Sequence, residues 1–205
     1  MSTSPDKLFF ERLYQERGCK YICGVDEVGR GPLAGPVTVT AIIMDLENLI
    51  DGVDDSKKVS EKKRERLYDE IISHSIAYST VSIDNETIDR MNILNATKAA
   101  MVQAVTSLSV KPDVVLVDAV QLDIPYKVHA IVKGDALSYS IGAASIVAKV
   151  HRDRLMRSFD TIYPEYGFAG NKGYGSAQHI EAIKKHGATP IHRKTFIKNF
   201  INDEK

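Results

Sequence analysis

Apolar and polar positions follow two rhythms along this chain, and the changes of rhythm mark out its elements. Residues 5–17 place Leu8, Phe9 and Leu13 on one side of a short amphipathic helix. Residues 21–25 form an apolar run that ends in Asp26-Glu27, and residues 37–44 are a β-branched run, so both predict strands. The Gly- and Pro-rich stretch 29–36 between them predicts a loop. Ser60 is a good N-cap for a helix reaching residue 72; residues 76–83 alternate as a strand, and 85–108 carry one helical period. An apolar run at 113–117 ends in Asp118 and predicts a buried strand, and 128–132 predicts another. A long Ala- and Ser-rich helix is expected over 137–159, then helices over 177–186 and 193–200. Strands first, then strands alternating with helices, predict an α/β layer structure: a central mixed β-sheet flanked by helices. Residues 1–205 read as one domain, a sheet core over about 18–160 with a small helical C-terminal subdomain over about 163–205.

Composition adds little to this picture, and distribution adds more. A chain of 205 residues, 43% hydrophobic, can bury one sizeable core. Lys+Arg and Asp+Glu both number 27, so net charge alone does not point to a nucleic acid. Basic residues nonetheless cluster, first at Lys57, Lys58, Lys62, Lys63, Arg64 and Arg66, then again from Lys184 to Lys198. Interleaved with Glu61 and Glu65, the stretch 62–66 reads as a solvated helix face. Cys19 and Cys23 lack a second ligand pair, so they fit two thiols of a reduced cytosolic protein better than a zinc site. Residues 1–18 lack the apolar core of a signal peptide, and no apolar run nears the ~20 residues of a membrane span. A cytoplasmic protein is expected.

Four acids stand out by position. Asp26 and Glu27 are adjacent at one strand end, Asp118 ends another strand, and Asp135 follows Lys133-Gly134 just before the long helix. Sites in open α/β sheets assemble at strand ends. Carboxylates converging there suit Mg²⁺ or Mn²⁺, because burying several acids together is costly unless a cation neutralises them. Taken singly, an acid at a strand end is usually a turn or cap residue. Neighbours on a regular strand face opposite ways, so Glu27 is expected past the strand, on a bulge, or acting through its carbonyl. The loop Gly29-x-Gly31-x-x-x-Gly35 misses the dinucleotide spacing by one residue, and no Gly-Lys-Ser/Thr closes it as a phosphate loop. It reads either as a tight turn or as backbone that approaches a ligand closely.

A set of ordered motifs narrows these alternatives. Gly24-Val-Asp-Glu-Val-Gly-Arg-Gly-Pro-Leu-Ala-Gly-Pro-Val37 comes first, followed by Asp54-Asp-Ser-Lys-Lys-Val-Ser60, Asn92-Ile-Leu-Asn-Ala-Thr97 and Val117-Asp118. Then come Lys133-Gly-Asp135, Ala143-Ala-Ser-Ile-Val-Ala-Lys-Val150 with Arg152-Asp153, Gly173-Tyr-Gly175 with His179, His186-Gly187 and His192-Arg193. Together, over about residues 21–196, they resemble the type 2 ribonucleases H. The resemblance implies a ribonuclease-H-like fold and an endoribonuclease acting on RNA/DNA hybrids. It would also cut 5′ of single ribonucleotides embedded in duplex DNA, leaving 5′-phosphate and 3′-hydroxyl ends. It implies that Asp26, Glu27, Asp118 and Asp135 are catalytic and hold two divalent ions, Mg²⁺ or Mn²⁺. By the same resemblance Gly29, Arg30 and Gly31 read the ribose 2′-hydroxyl through main-chain groups, and Tyr174 stacks near the sugar. Lys57, Ser145 and Lys149 are candidate phosphate contacts. The chain shows no N-terminal sheet domain of the ribonuclease HIII kind and no Gln-led sliding-clamp box in 196–205, so the HII branch and a clamp-independent monomer are expected. His179 and His192 are expected to be structural.

Overall fold

The computed structural model describes residues 6–201. Pro5, where the first helix was expected to begin, and residues 202–205 of the C-terminal segment lie outside the described residues. The chain order is α1 (Phe9–Gln15), β1 (Ile22–Val28), β2 (Val37–Met44), α2 (Glu61–His74), β3 (Ser75–Ile83), α3 (Asn85–Met91), α4 (Ile93–Thr106), β4 (Val114–Asp118), β5 (Lys127–Ile131), α5 (Gly134–Leu137) and α6 (Tyr139–Ile162). A single 3₁₀ turn, Pro164–Tyr166, leads to α7 (Phe168–Asn171), α8 (Ala177–His186) and α9 (Lys194–Ile197).

The strands form one mixed sheet in the order β3-β2-β1-β4-β5. β1 pairs antiparallel with β2 and parallel with β4, so it lies at the centre. Strand alternation then sorts the core into two layers. On one face Cys23, Val25, Val39, Ala41, Val115 and Val117 pack against Ala100, Met101, Ala104 and Val105 of α4. On the other, Ile42 and Met44 meet α2 and α6, while Leu116 meets Ile141 of α6. Gly24 makes that second contact close: a Cβ there would stand 2.2 Å from the Ser140 carbonyl carbon. A further cluster joins Met156 at the far end of α6 to Tyr166, Phe168, Ile183 and Ile197, with Ala34 of the 29–36 loop inside it.

Three sequence expectations are corrected. β1 does not stop at Val25: it runs on through Asp26 and Glu27, paired in unbroken register with Thr40 and Val39 of β2. The single helix expected over 85–108 is two helices, because Asn92 adopts φ 68° and its side chain caps α4 by accepting from the Asn95 N–H. The helix expected over 193–200 shortens to α9 (Lys194–Ile197), whose first amides are capped by Asp89 of α3. Ser60 does stand at the N-cap of α2, with extended backbone but no side-chain cap bond.

Candidate active site

The parallel register of β1 and β4 pairs Val25 with Val117 and so brings Asp26 beside Asp118. By alternation both share the α6 face with Gly24 and Leu116. Glu27 starts on the opposite face, yet it lines the same cavity. The geometry that allows this is the end of β4 rather than a bulge. β4 terminates at Asp118, and Ala119 turns away with φ 50° to bond the Ile131 carbonyl, leaving Glu27 unflanked on that edge. The cavity holds about 130 Å³ and is lined by Asp26, Glu27, Ser56, Lys57, Asp118, Ser145, Lys149 and Tyr174, together with Val28.

The charges at this end are poorly compensated. Asp26 is buried, and its Oδ1 accepts from the Glu27 N–H at 2.8 Å. Burial pushes its carboxyl well above the usual range; Glu27 and Asp118 push the same way, against the Ser145 hydroxyl. Burial also raises Glu27, opposed by the Arg30 guanidinium 3.4 Å away, and Glu27 Oε2 is buried with no hydrogen-bond partner. Asp118 is raised by burial and by Asp135, although the Gly134 N–H donates to its Oδ1 at 2.7 Å. Lys133 takes a left-handed conformation (φ 60°), and the turn it makes starts α5 and buries Asp135 behind Asp118. Asp135 is not among the cavity-lining residues; its Oδ2 lies 3.5 Å from Lys57 Nζ. Burial would lower Lys57, but Asp135, Asp55 and Asp26 outweigh it and hold the ammonium above its ordinary value.

An orphaned carboxylate oxygen beside buried, mutually repelling acids is what a cation site looks like without its cation. The donor set is all oxygen, which suits hard divalent ions. Among the described residues no three such side chains stand close enough together to enclose an ion.

The other expected residues are distributed around this cluster. Ser145 Oγ donates to Ser56 Oγ at 2.9 Å, and Lys149, one turn further along α6, is held by Asp153 at 2.7 Å. Burial lowers Lys149, with Asp153 opposing. Tyr174 is 44% exposed, and its ring lies 3.7 Å from where a Gly31 Cβ would stand. Gly29 adopts φ 90°, a conformation L-residues avoid, with Arg152 Nε only 2.2 Å from its would-be Cβ.

Arg193, Arg152 and Ser56, given no role by the sequence, prove central to this architecture, together with the two histidines expected to be structural. Arg193 donates to the carbonyls of Gly29, Arg30 and Gly35, and Arg152 to those of Ala34, Pro36 and Lys172. Ser56 anchors Lys57 to α6 through Ser145. His179 and His192 are fully buried, their Nε2 atoms 3.0 Å apart. The Thr189 N–H donates to His192 Nδ1, so His192 must donate from Nε2 to His179, which donates from Nδ1 to the Tyr174 carbonyl. Their presence in the quoted motifs was the only sequence signal.

Comparison with solved structures defines the class. The fold is similar to that of ribonuclease H2 from Pyrococcus horikoshii, with a TM-score of 0.74 and 30% identity over 90% of this chain and all of that one. This is a ribonuclease-H-like fold, and the protein is a metal-dependent ribonuclease. The family model described as ribonuclease HII matches residues 23–199. A ribonuclease HII from Ruminiclostridium cellulolyticum is 54% identical over 95% of this chain and 76% of its own length. One from Caldicellulosiruptor saccharolyticus is 50% identical over 98% of this chain and 100% of its own. The chain belongs to the ribonuclease HII family, whose members cleave the RNA of RNA/DNA hybrids.

Proposed function

We propose that this ribonuclease, besides cleaving the RNA strand of hybrids, cuts on the 5′ side of single ribonucleotides embedded in duplex DNA, leaving 5′-phosphate and 3′-hydroxyl ends. The observation that supports this reading is the juxtaposition of under-compensated carboxylates with a glycine loop that touches two residues of the same cavity, Glu27 through the Arg30 side chain and Tyr174 beside Gly31. Asp26, Glu27 and Asp118 would hold divalent cations, Mg²⁺ or Mn²⁺, with Asp135 completing the set from behind Asp118. Two such ions, when bound, supply Lewis-acid chemistry for phosphodiester hydrolysis. The protein's own groups do the rest. The peptide N–H groups of Gly29-Arg30-Gly31 meet the ribose 2′-hydroxyl, which separates RNA from DNA. The exposed Tyr174 ring stacks on the sugar–base unit beside it, and Lys57 brings positive charge to the phosphate. Ser145 and Lys149 border the phosphate path from α6, Lys149 with its charge already shared with Asp153. Among the described residues no helix is long and apolar enough to cross a membrane; the reading assigns the protein to the cytoplasm as a monomer acting without a sliding clamp.

The test is cleavage of three matched duplexes in Mg²⁺ or Mn²⁺: a hybrid, a DNA duplex with one ribonucleotide, and the all-DNA duplex. Cutting of the first two, with 5′-phosphate products and no cutting of the third, is expected. Appreciable cutting of all-DNA removes the ribose sensor.

A further inference from the structure

The glycine loop beside the carboxylates is held in an unusual way. Arg193 and Arg152 are both fully buried, and among the described residues neither forms an ion pair. Burying a guanidinium without a counter-ion is costly unless strong acceptors surround it. Here the acceptors are main-chain carbonyls. Arg193 bonds Gly29 O at 2.6 Å, Arg30 O at 2.8 Å and Gly35 O at 3.0 Å. Arg152 bonds Pro36 O at 2.8 Å and Ala34 O at 3.1 Å. The Arg193 main chain adds a bond from its N–H to Leu33 O, and its guanidinium stacks on Phe196.

Peptide geometry turns this anchoring into an orientation. In a trans peptide the C=O and the following N–H point in opposite directions. The Gly29 carbonyl shares its peptide with the Arg30 N–H, and the Arg30 carbonyl shares its own with the Gly31 N–H. Drawing both carbonyls inward onto Arg193 therefore turns both N–H groups outward, and neither finds a backbone acceptor among the described residues. The loop also borders the cavity: the Arg30 guanidinium reaches Glu27, and a Cβ on Gly31 would meet the Tyr174 ring.

We propose that Arg193, with Arg152 gripping the far half of the loop, is a positioning residue for ribose recognition, aiming the Arg30 and Gly31 N–H groups at the substrate without touching it. This rests on the ribose-reading loop proposed above. Lysine at these positions keeps the charge but loses the fork that bonds several carbonyls at once.

The experiment is Arg193→Lys in the full chain, read by single-turnover cleavage of the single-ribonucleotide duplex, thermal melting, and amide ¹H–¹⁵N spectra. A maximal rate down by about 100-fold is expected, with half-saturation within about threefold of wild type, as for groups misplaced by an ångström. The Arg30 and Gly31 cross-peaks should move while those of β2 and β3 stay. Wild-type rate with unmoved cross-peaks overturns the positioning role and leaves the site reading intact. A wild-type enzyme that ignores single ribonucleotides fails the site reading instead. Should Arg193→Lys not fold, Arg152→Lys must show the same rate loss and displaced cross-peaks. Collapse of both variants makes the arginines mere braces and overturns the proposal.

Discussion

Two buried charge clusters lie side by side in this molecule and are treated in opposite ways. Near the ends of β1 and β4, Asp26, Glu27 and Asp118 are crowded with one oxygen orphaned; Arg30 and Lys57 are nearby, and Lys149 lines the same cavity but is paired with Asp153. Behind the adjacent loop, Arg152 and Arg193 are at least as deeply buried, yet every nitrogen of the Arg193 fork has a carbonyl partner. Burial and its neighbour Arg152 lower Arg193 to about 9, which leaves it charged at neutral pH. The cationic cluster is complete as folded, because backbone dipoles solvate it. The anionic cluster is not: among the described residues, Glu27 Oε2 keeps no hydrogen-bond partner. The first should therefore act only through the loop it holds, and the second directly on what binds there.

The largest effect that could break this contrast is on the acids. Asp118→Asn should reduce cleavage by about 4 kcal/mol, roughly a thousandfold, because it removes ligand charge from the site. Its metal-free melting temperature should be unchanged or higher, since a repelling charge is gone. Cleavage at wild-type level with saturating metal would mean the cluster holds no ion.

A glycine pair sharpens the contrast inside one loop. Gly29→Ala should destabilise the fold by about 3 kcal/mol, since its Cβ meets Arg152 Nε and stands 2.8 Å from Pro36 O at a positive φ. Gly31→Ala meets only the Tyr174 ring and should melt near wild type while still impairing cleavage. Thermal melts of the two variants decide it, and equal losses would show that the loop is not braced from one side.

Tyr174→Ala should weaken cleavage at the ribonucleotide junction by ~1–3 kcal/mol and melt within a few degrees of wild type. Tyr174→Phe should retain most activity. A melting loss in proportion to activity would place the ring in the core.

A pH dependence tests the structural side. Burial and His179 lower His192 from 6.5 to about 4. A base depressed in the folded state is protonated more readily when unfolded, so its stabilisation is present above pH 6.5 and lost as pH falls toward 4. Melting curves across this range should fall on the acid side, and His192→Gln, which keeps a donor toward His179 but does not titrate, should flatten the fall. An equally steep fall in the variant would assign it to other groups.

Much of this architecture was legible in local pattern. The β-branched run 37–44 and the alternation at 76–83 predicted β2 and β3, and an apolar run ending in an acid placed Asp118 at a strand end, whereas β1 runs two residues past Asp26. Glu27 was misjudged because alternation is a property of one strand, whereas its freedom comes from where the neighbouring strand stops. The break at Asn92 escaped because periodicity persists across a left-handed residue that also caps the next helix. The role of the loop arginines escaped for a different reason: they stand in quoted motifs, but their carbonyl partners lie 116 and 164 residues away.

The parallel β1–β4 pair has a consequence for how the protein comes into being. Ile22 meets Val114 only after the chain has wound through β2, α2, β3, α3 and α4, so this pairing closes a long loop and belongs among the slow, non-local steps of folding. Until it closes, Asp26 and Asp118 sit on separate segments and present no joint site. On the ion assignment proposed above, ion capture would not nucleate the fold, as it does where ligands are neighbours in sequence. It would instead follow the seating of the central strand, because only then do the two acids stand together.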